Sequence, residues 1–182
     1  MKKILVVLAI LAVSPVLTVA AVSAQTYTFR SSTAVQAYPV RLVVPSIKLD
    51  APIAQMGTNT KGEMAVPDGR TRNVGWYRGG TMPGQLGSAV IAAHVYAAFS
   101  NLKNVTVGDS IYVIMSDKSK VQFVVTDRRQ QRLAQLSPEF LFNRKDDERL
   151  NLITCAGTYR SYMGTYDQRL VVYAQRLDGY SI

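Results

Sequence analysis

The sequence predicts an all-β fold, a closed barrel or a sandwich built from short strands. Three observations carry this expectation. Short apolar or alternating segments recur from Pro39 onward, with turn residues between them. Helix signals are confined to two brief stretches, and no internal repeat interrupts the pattern. Of 182 residues, 48% are hydrophobic and 18% charged, enough apolar side chain to bury a core in one domain and too much for a disordered chain.

The first element is a targeting segment. Lys2 and Lys3 precede an apolar run from Ile4 to Val22, broken only by Ser14, Pro15 and Thr18, and the run ends in Val22-Ser23-Ala24. A charged start, an apolar stretch and small residues before a cleavage point mark residues 1–24 as a signal peptide or membrane anchor. The run is long for the first and near the minimum for the second, so both readings stay open. In either case the lysines stay in the cytoplasm and the remainder is placed outside it, secreted or anchored once in the membrane. Residues 25–38 (QTYTFRSSTAVQAY) are polar and aperiodic and read as a linker. The domain proper is expected over 39–178.

Within that domain, Val40–Val44 reads as a strand that stops at Pro45, and Ile47–Asp50 as a second before Pro52. Gly87–His94 (GSAVIAAH) is a short, nearly continuous apolar run, the pattern of a buried strand. Asp109–Met115 alternates with Ile111, Val113 and Met115 on one face; Ser116–Ser119 is a hairpin turn, and Val121, Phe123 and Val125 alternate on the return. Leu150–Cys155 and Arg169–Arg176 supply two further strands. Ser137-Pro138-Glu139 has the residues of an N-cap, N1 and N2, which predicts one brief helix. A second is expected within 96–103.

Composition narrows the chemistry. A single cysteine excludes an intrachain disulfide and a cysteine-only zinc site, and a single histidine excludes metal centres that need two. The formal charge of +9 falls to +7 once Lys2 and Lys3 leave with the leader, which suits an anionic envelope. The basic residues are scattered and no nucleic-acid-binding motif is present, so nucleic acid is not an expected partner. The acidic side chains Glu139, Asp146, Asp147 and Glu148 read as a solvated run rather than a calcium site. No cofactor is expected.

Three residues stand where chemistry is done. His94 ends one apolar strand, Cys155 ends another, and Arg169 opens the last. Reactive groups at strand ends sit on a rigid rim where loops shape a pocket. A thiolate, an imidazole and a guanidinium suffice for acyl transfer: the sulfur attacks a carbonyl, the histidine protonates the departing amine, and the arginine donates hydrogen bonds to the developing oxyanion.

The local wording around these residues resembles the sortases, cysteine transpeptidases of the bacterial cell surface. Asn151-Leu152-Ile153-Thr154-Cys155 is similar to their Thr-Leu-x-Thr-Cys strand end, Gly87–His94 to the strand before their histidine, and Arg169-Leu170-Val171-Val172 to the run that carries their arginine. Arg41–Ile47, Val74-Gly75-Trp76-Tyr77, Pro83-Gly84, Phe99-x-x-Leu102 and Val107-Gly108-Asp109 agree as well, so the resemblance spans about 39–176. Pro45-Ser46-Ile47, Asp50-Ala51-Pro52 and Val74–Tyr77 look most like the class F branch. Three positions depart from the family pattern. Asn151 replaces a threonine, with little expected effect because it is remote from the sulfur. Ala93 replaces a glycine, which is expected to narrow the groove, and Tyr96 stands where many relatives carry aspartate.

The resemblance implies an eight-stranded barrel that cleaves a Leu-Pro-x-Thr-Gly sorting signal between Thr and Gly. It implies Cys155 as nucleophile, His94 as acid and Arg169 as oxyanion clamp, with Ala93, Ile153 and Thr154 at the substrate. The acyl group would pass to an amine on a cell-wall precursor or a pilin lysine. Residues 126–151 would form the loop that walls the groove. Rival readings fit less well. Papain-like peptidases place cysteine before histidine, L,D-transpeptidases carry a Ser-His-Gly-Cys context, and a secreted adhesion or scaffold domain would leave the cysteine inert.

Overall fold

The computed structural model describes residues 36–177. The leader (1–24) and most of the linker (25–38) lie outside them. Eight strands are present: β1 (Pro39–Val44), β2 (Leu49–Met56), β3 (Val74–Tyr77), β4 (Gly87–Ala92), β5 (Ser110–Met115), β6 (Lys120–Arg132), β7 (Glu148–Arg160) and β8 (Thr165–Arg176). They close into a barrel in the order β1-β2-β3-β4-β7-β8-β6-β5, with β5 returning to β1. The pairs β2–β3 and β4–β7 are parallel, and the remaining neighbours are antiparallel.

Alternation dictates what fills the barrel. Along β5, Ile111, Val113 and Met115 are buried while the residues between them are partly exposed, the period of a strand with one face inward. The same parity sends Ala89, Ile91 and Ala93 from the β4 segment, Leu150 and Leu152 from β7, and Leu170, Val172 and Ala174 from β8 into one core with Leu42, Trp76, Phe99 and Phe123. β4 is buried on both faces, which explains its continuous apolar sequence.

The outer face of β7–β8 carries a second, smaller cluster. Leu141, Val171 and Tyr173 are buried there, with Ile153, Leu136, Phe140 and Phe142 packed around them. The expected brief helix supplies Leu141: α1 spans Pro138–Phe142, and the Ser137 hydroxyl accepts the Phe140 amide at 3.3 Å as its N-cap. The inward and outward strand faces therefore follow from the spacing of apolar residues, and α1 from its Ser-Pro-Glu start.

Several boundaries differ from expectation. Pro45–Ile47 is a 3-10 turn closed by Lys48 in the left-handed region (φ 54), so β2 begins at Leu49. Residues 96–101 form turns rather than a helix, followed by a 3-10 turn at Leu102–Asn104. β6 runs on to Arg132 and β7 starts at Glu148, so the connecting loop is 133–147 and not 126–151. Cys155 does not end its strand and Arg169 does not open its own, because β7 and β8 extend past them as a hairpin.

A register shift between Ala156 and Tyr159 marks where that extension begins. Gly157 sits there with φ 78, and an added Cβ would lie 2.3 Å from Asp167 Oδ1, so only glycine fits. The Thr158 amide donates to Asp167 Oδ1 at 2.8 Å and the Arg160 Nε donates to its Oδ2 at 2.9 Å. The Thr158 amide first, then Arg160, hold the Asp167 carboxyl below the usual carboxylate range. Polar pairing, not burial, carries the backbone beyond Cys155.

Candidate functional site

Two of the three residues, Cys155 and Arg169, lie on the neighbouring strands β7 and β8, and His94 follows the end of β4. In the β7–β8 register Cys155 pairs directly with Arg169. Residues directly opposite on an antiparallel pair project from the same face about 5 Å apart, so sulfur and arginine leave the barrel side by side. Both have the parity of Ile153 and Val171, which belong to the outer cluster, and not of Leu152, Leu170 and Val172, which fill the barrel. Cys155 is a free thiol, partly exposed.

His94 arrives from the other side. β4 and β7 pair in parallel from Gly87↔Glu148 to Ala92↔Ile153, and the Ala93 amide still donates to the Ile153 carbonyl at 3.3 Å. Continuing that register brings His94 level with Cys155. Thr154 locks the approach: its hydroxyl donates to the Ala93 carbonyl at 2.7 Å in a buried hydrogen bond. The chain then turns sharply, because the His94 carbonyl accepts the amides of Ala97 at 3.1 Å and Phe99 at 3.3 Å. Phe99 is buried in the core and anchors the turn.

Arg169 is held along its own strand. Its Nη1 donates to the carbonyls of Tyr166 and Gln168, both at 2.9 Å, and its Nη2 donates to the Thr165 hydroxyl at 3.1 Å. A guanidinium carries five N–H donors in a fixed fork. Three partners leave donors in hand for a developing negative charge, on an arm whose direction is already set. The β7–β8 hairpin extension supplies Thr165 and Tyr166, so it orients the guanidinium as well as lengthening the strands.

The residues expected at the substrate take different places. Ala93 is 4% exposed and Thr154 3% exposed. The Ala93 methyl points into the barrel core, so the alanine does not narrow the groove as expected from the residue type. Thr154 turns its hydroxyl to a backbone carbonyl, so both side chains are buried and neither lies on the outer face. Ile153 is partly buried on the outer face against the α1 cluster.

Asn151 remains remote from the sulfur, yet it is far from idle. It is 1% exposed, and its Nδ2 donates to the Leu141 carbonyl at 2.7 Å. The bond ties α1 to the β7 backbone under the wall of the outer face. Sequence reasoning missed this because the partner is a main-chain oxygen in a loop whose path only the fold reveals.

Tyr96 stacks on His94, with ring centroids 5.0 Å apart and planes inclined by 18°. Asp68 lies close as well: Arg70 chiefly holds its carboxyl below the usual range, and the imidazole adds a smaller contribution. A cavity of about 360 Å³ opens beside Tyr96, bounded by Lys48, Asp50, Arg70 and Arg72 among others. Another of about 620 Å³ lies against α1 between Tyr77, Thr81, Phe142 and Lys145, away from the three chemical residues. Among the described residues no group of three or more His, Cys, Asp or Glu side chains is placed to hold a metal ion, and no helix is long and apolar enough to cross a membrane.

Comparisons with known proteins agree with this architecture. The family model for the sortase domain matches residues 42–177. The solved structure of sortase C1 from Streptococcus agalactiae is 28% identical, with a TM-score of 0.57 over 78% of this chain and 68% of that one. Sortase C from Clostridium perfringens is 22% identical, with a TM-score of 0.59 over 79% of this chain and 71% of that one. Sortase A from Corynebacterium diphtheriae is 22% identical, with a TM-score of 0.59, covering 80% of this chain and 64% of that one. No curated protein matches the chain. A matched domain running from β1 through β8, the shared closed barrel and one cysteine on its outer rim make this chain a member of the sortase family of cysteine transpeptidases.

Proposed function

We propose that Cys155, His94 and Arg169 are the catalytic residues and that the enzyme cleaves a Leu-Pro-x-Thr-Gly-type signal on surface proteins. The Cys155 thiolate attacks the threonine carbonyl, and the oxyanion that forms accepts hydrogen bonds from Arg169. Collapse breaks the peptide bond, and His94 gives its proton to the departing glycine amine. The thioester on Cys155 is then attacked by an amine of a cell-wall precursor or a pilin lysine; His94 takes the amine proton and the thiolate leaves. No step calls on a cofactor. The observation that carries this assignment is the register, with Arg169 directly opposite Cys155 and β4 delivering His94 to the same rim.

Residues 39–178 form the catalytic domain in this proposal, and 25–38 link it to a leader over 1–24 that exports it or tethers it to the membrane. Lys2, Lys3, the apolar run and Val22-Ser23-Ala24 support the leader. The wording of Pro45-Ser46-Ile47, Asp50-Ala51-Pro52 and Val74–Tyr77 supports class F within the family.

A quenched Leu-Pro-x-Thr-Gly peptide, with and without an amine acceptor, tests the assignment. Wild type cleaves between Thr and Gly and ligates the acceptor, Cys155→Ala abolishes both, and Arg169→Ala lowers kcat by roughly 10²- to 10³-fold, the usual loss for one oxyanion donor. Turnover that survives Cys155→Ala would remove the nucleophile from the scheme.

A further inference from the structure

Resting on the reading of His94 as the proton carrier, we propose that Tyr96 is the positioning residue of that histidine and that Gly69 is the seat that keeps it in place. A histidine that shuttles a proton between a sulfur and an amine needs a fixed ring plane. In nucleophile–histidine pairs a third group commonly fixes it by a hydrogen bond. Here, among the described residues, the contact that fixes the ring is a stack: centroids 5.0 Å apart and planes inclined by 18°. Offset stacking holds a ring plane while leaving both imidazole nitrogens free at the edge, which suits a group that must both give and accept a proton.

Tyr96 is 66% exposed, so burial does not keep it there. Its seat is specific. A Cβ on Gly69 would lie 2.5 Å from Tyr96 Oη, 2.7 Å from Cε2 and 2.9 Å from Cζ, so the phenol ring lies directly on the Gly69 backbone. The ring thus touches the Gly69 backbone at its phenol end and the imidazole across the stack. Gly69 itself stands between Asp68, which caps the Arg70 amide at 2.9 Å, and the turn closed by the Thr71 amide on the Asp68 carbonyl at 3.0 Å. The loop between β2 and β3 therefore presents a firm surface, and two connections remote in sequence set the plane of His94.

The chain has one histidine, so its imidazole signals in a proton–carbon spectrum of the untagged full chain belong to His94. In wild type and in Tyr96→Phe, ring currents shift those signals upfield; in Tyr96→Ala and Gly69→Ala they return toward free histidine. With the peptide substrate, Tyr96→Phe keeps kcat, while Tyr96→Ala and Gly69→Ala each lower kcat by roughly ten- to a hundredfold, the scale of a misplaced catalytic group, with KM little changed. Once Tyr96→Ala is present, adding Gly69→Ala has no further effect, the coupling expected of two residues acting through one contact. Wild-type kcat in Tyr96→Ala, or additive losses in the double variant, would overturn the proposal. Turnover that survives Cys155→Ala or His94→Ala would instead overturn the catalytic assignment, whatever the spectra show.

Discussion

Thr154 shows how much one hydroxyl carries at this rim. It stands beside Cys155, and its position suggests a substrate contact, but the side chain is turned inward to the Ala93 carbonyl at 2.7 Å. That bond joins the strand of Cys155 to the segment of His94. Thr154→Val keeps the shape and removes the donor, leaving a buried carbonyl unpaired. Stability should fall by roughly 1–3 kcal/mol in a denaturant titration, and Thr154→Ser should retain most of it. A loss no larger than that of an exposed threonine would show that the bond contributes nothing. The proposed trio Cys155, His94 and Arg169 stands out in the sequence by residue type and strand position, whereas a threonine in a strand is ordinary until its partner is known.

The elements read more plainly than their ends. Alternating residues such as Ile111, Val113 and Met115 specify β5 and its inward face, and Ser137-Pro138-Glu139 specifies α1. Where β7 and β8 stop could not be read the same way. Their outer turns hold through Gly157, Asp167 and Arg160, polar pairings across the hairpin that apolar periodicity does not report. The same holds for the 133–147 loop, whose helix is fixed by Leu141 packing on Val171 and Tyr173 and by the Asn151 bond to the Leu141 carbonyl. Asn151→Ala should release α1. We expect faster proteolysis within 133–147 and a stability loss of roughly 1–3 kcal/mol, with the far-UV spectrum of the barrel unchanged. Unchanged proteolysis would mean that Leu141 alone holds the helix.

At the scale of the barrel, residues 36–177 form a closed sheet with a continuous core and no free edge among the eight described strands. Closure of this kind predicts cooperative unfolding. Trp76, the single tryptophan, is buried in that core with its Nε1 donating to the Thr81 carbonyl at 3.1 Å, so it reports on barrel integrity. Its fluorescence and the far-UV signal should change along one transition in denaturant; separate midpoints would reveal a barrel that opens in parts. The strand pattern left barrel and sandwich open and the family resemblance chose the eight-stranded barrel, while strand order was not legible, since period-two patterns give faces and not neighbours. Parallel pairing of β4 with β7 has a final consequence. Ala93 and Thr154 stand 61 positions apart, and nothing local holds their neighbours His94 and Cys155 together. On the catalytic reading proposed above, the sulfur has no imidazole beside it while the chain is extended. The pair is therefore a product of the fold: on that reading the chain gains its chemistry only once β4 and β7 have paired.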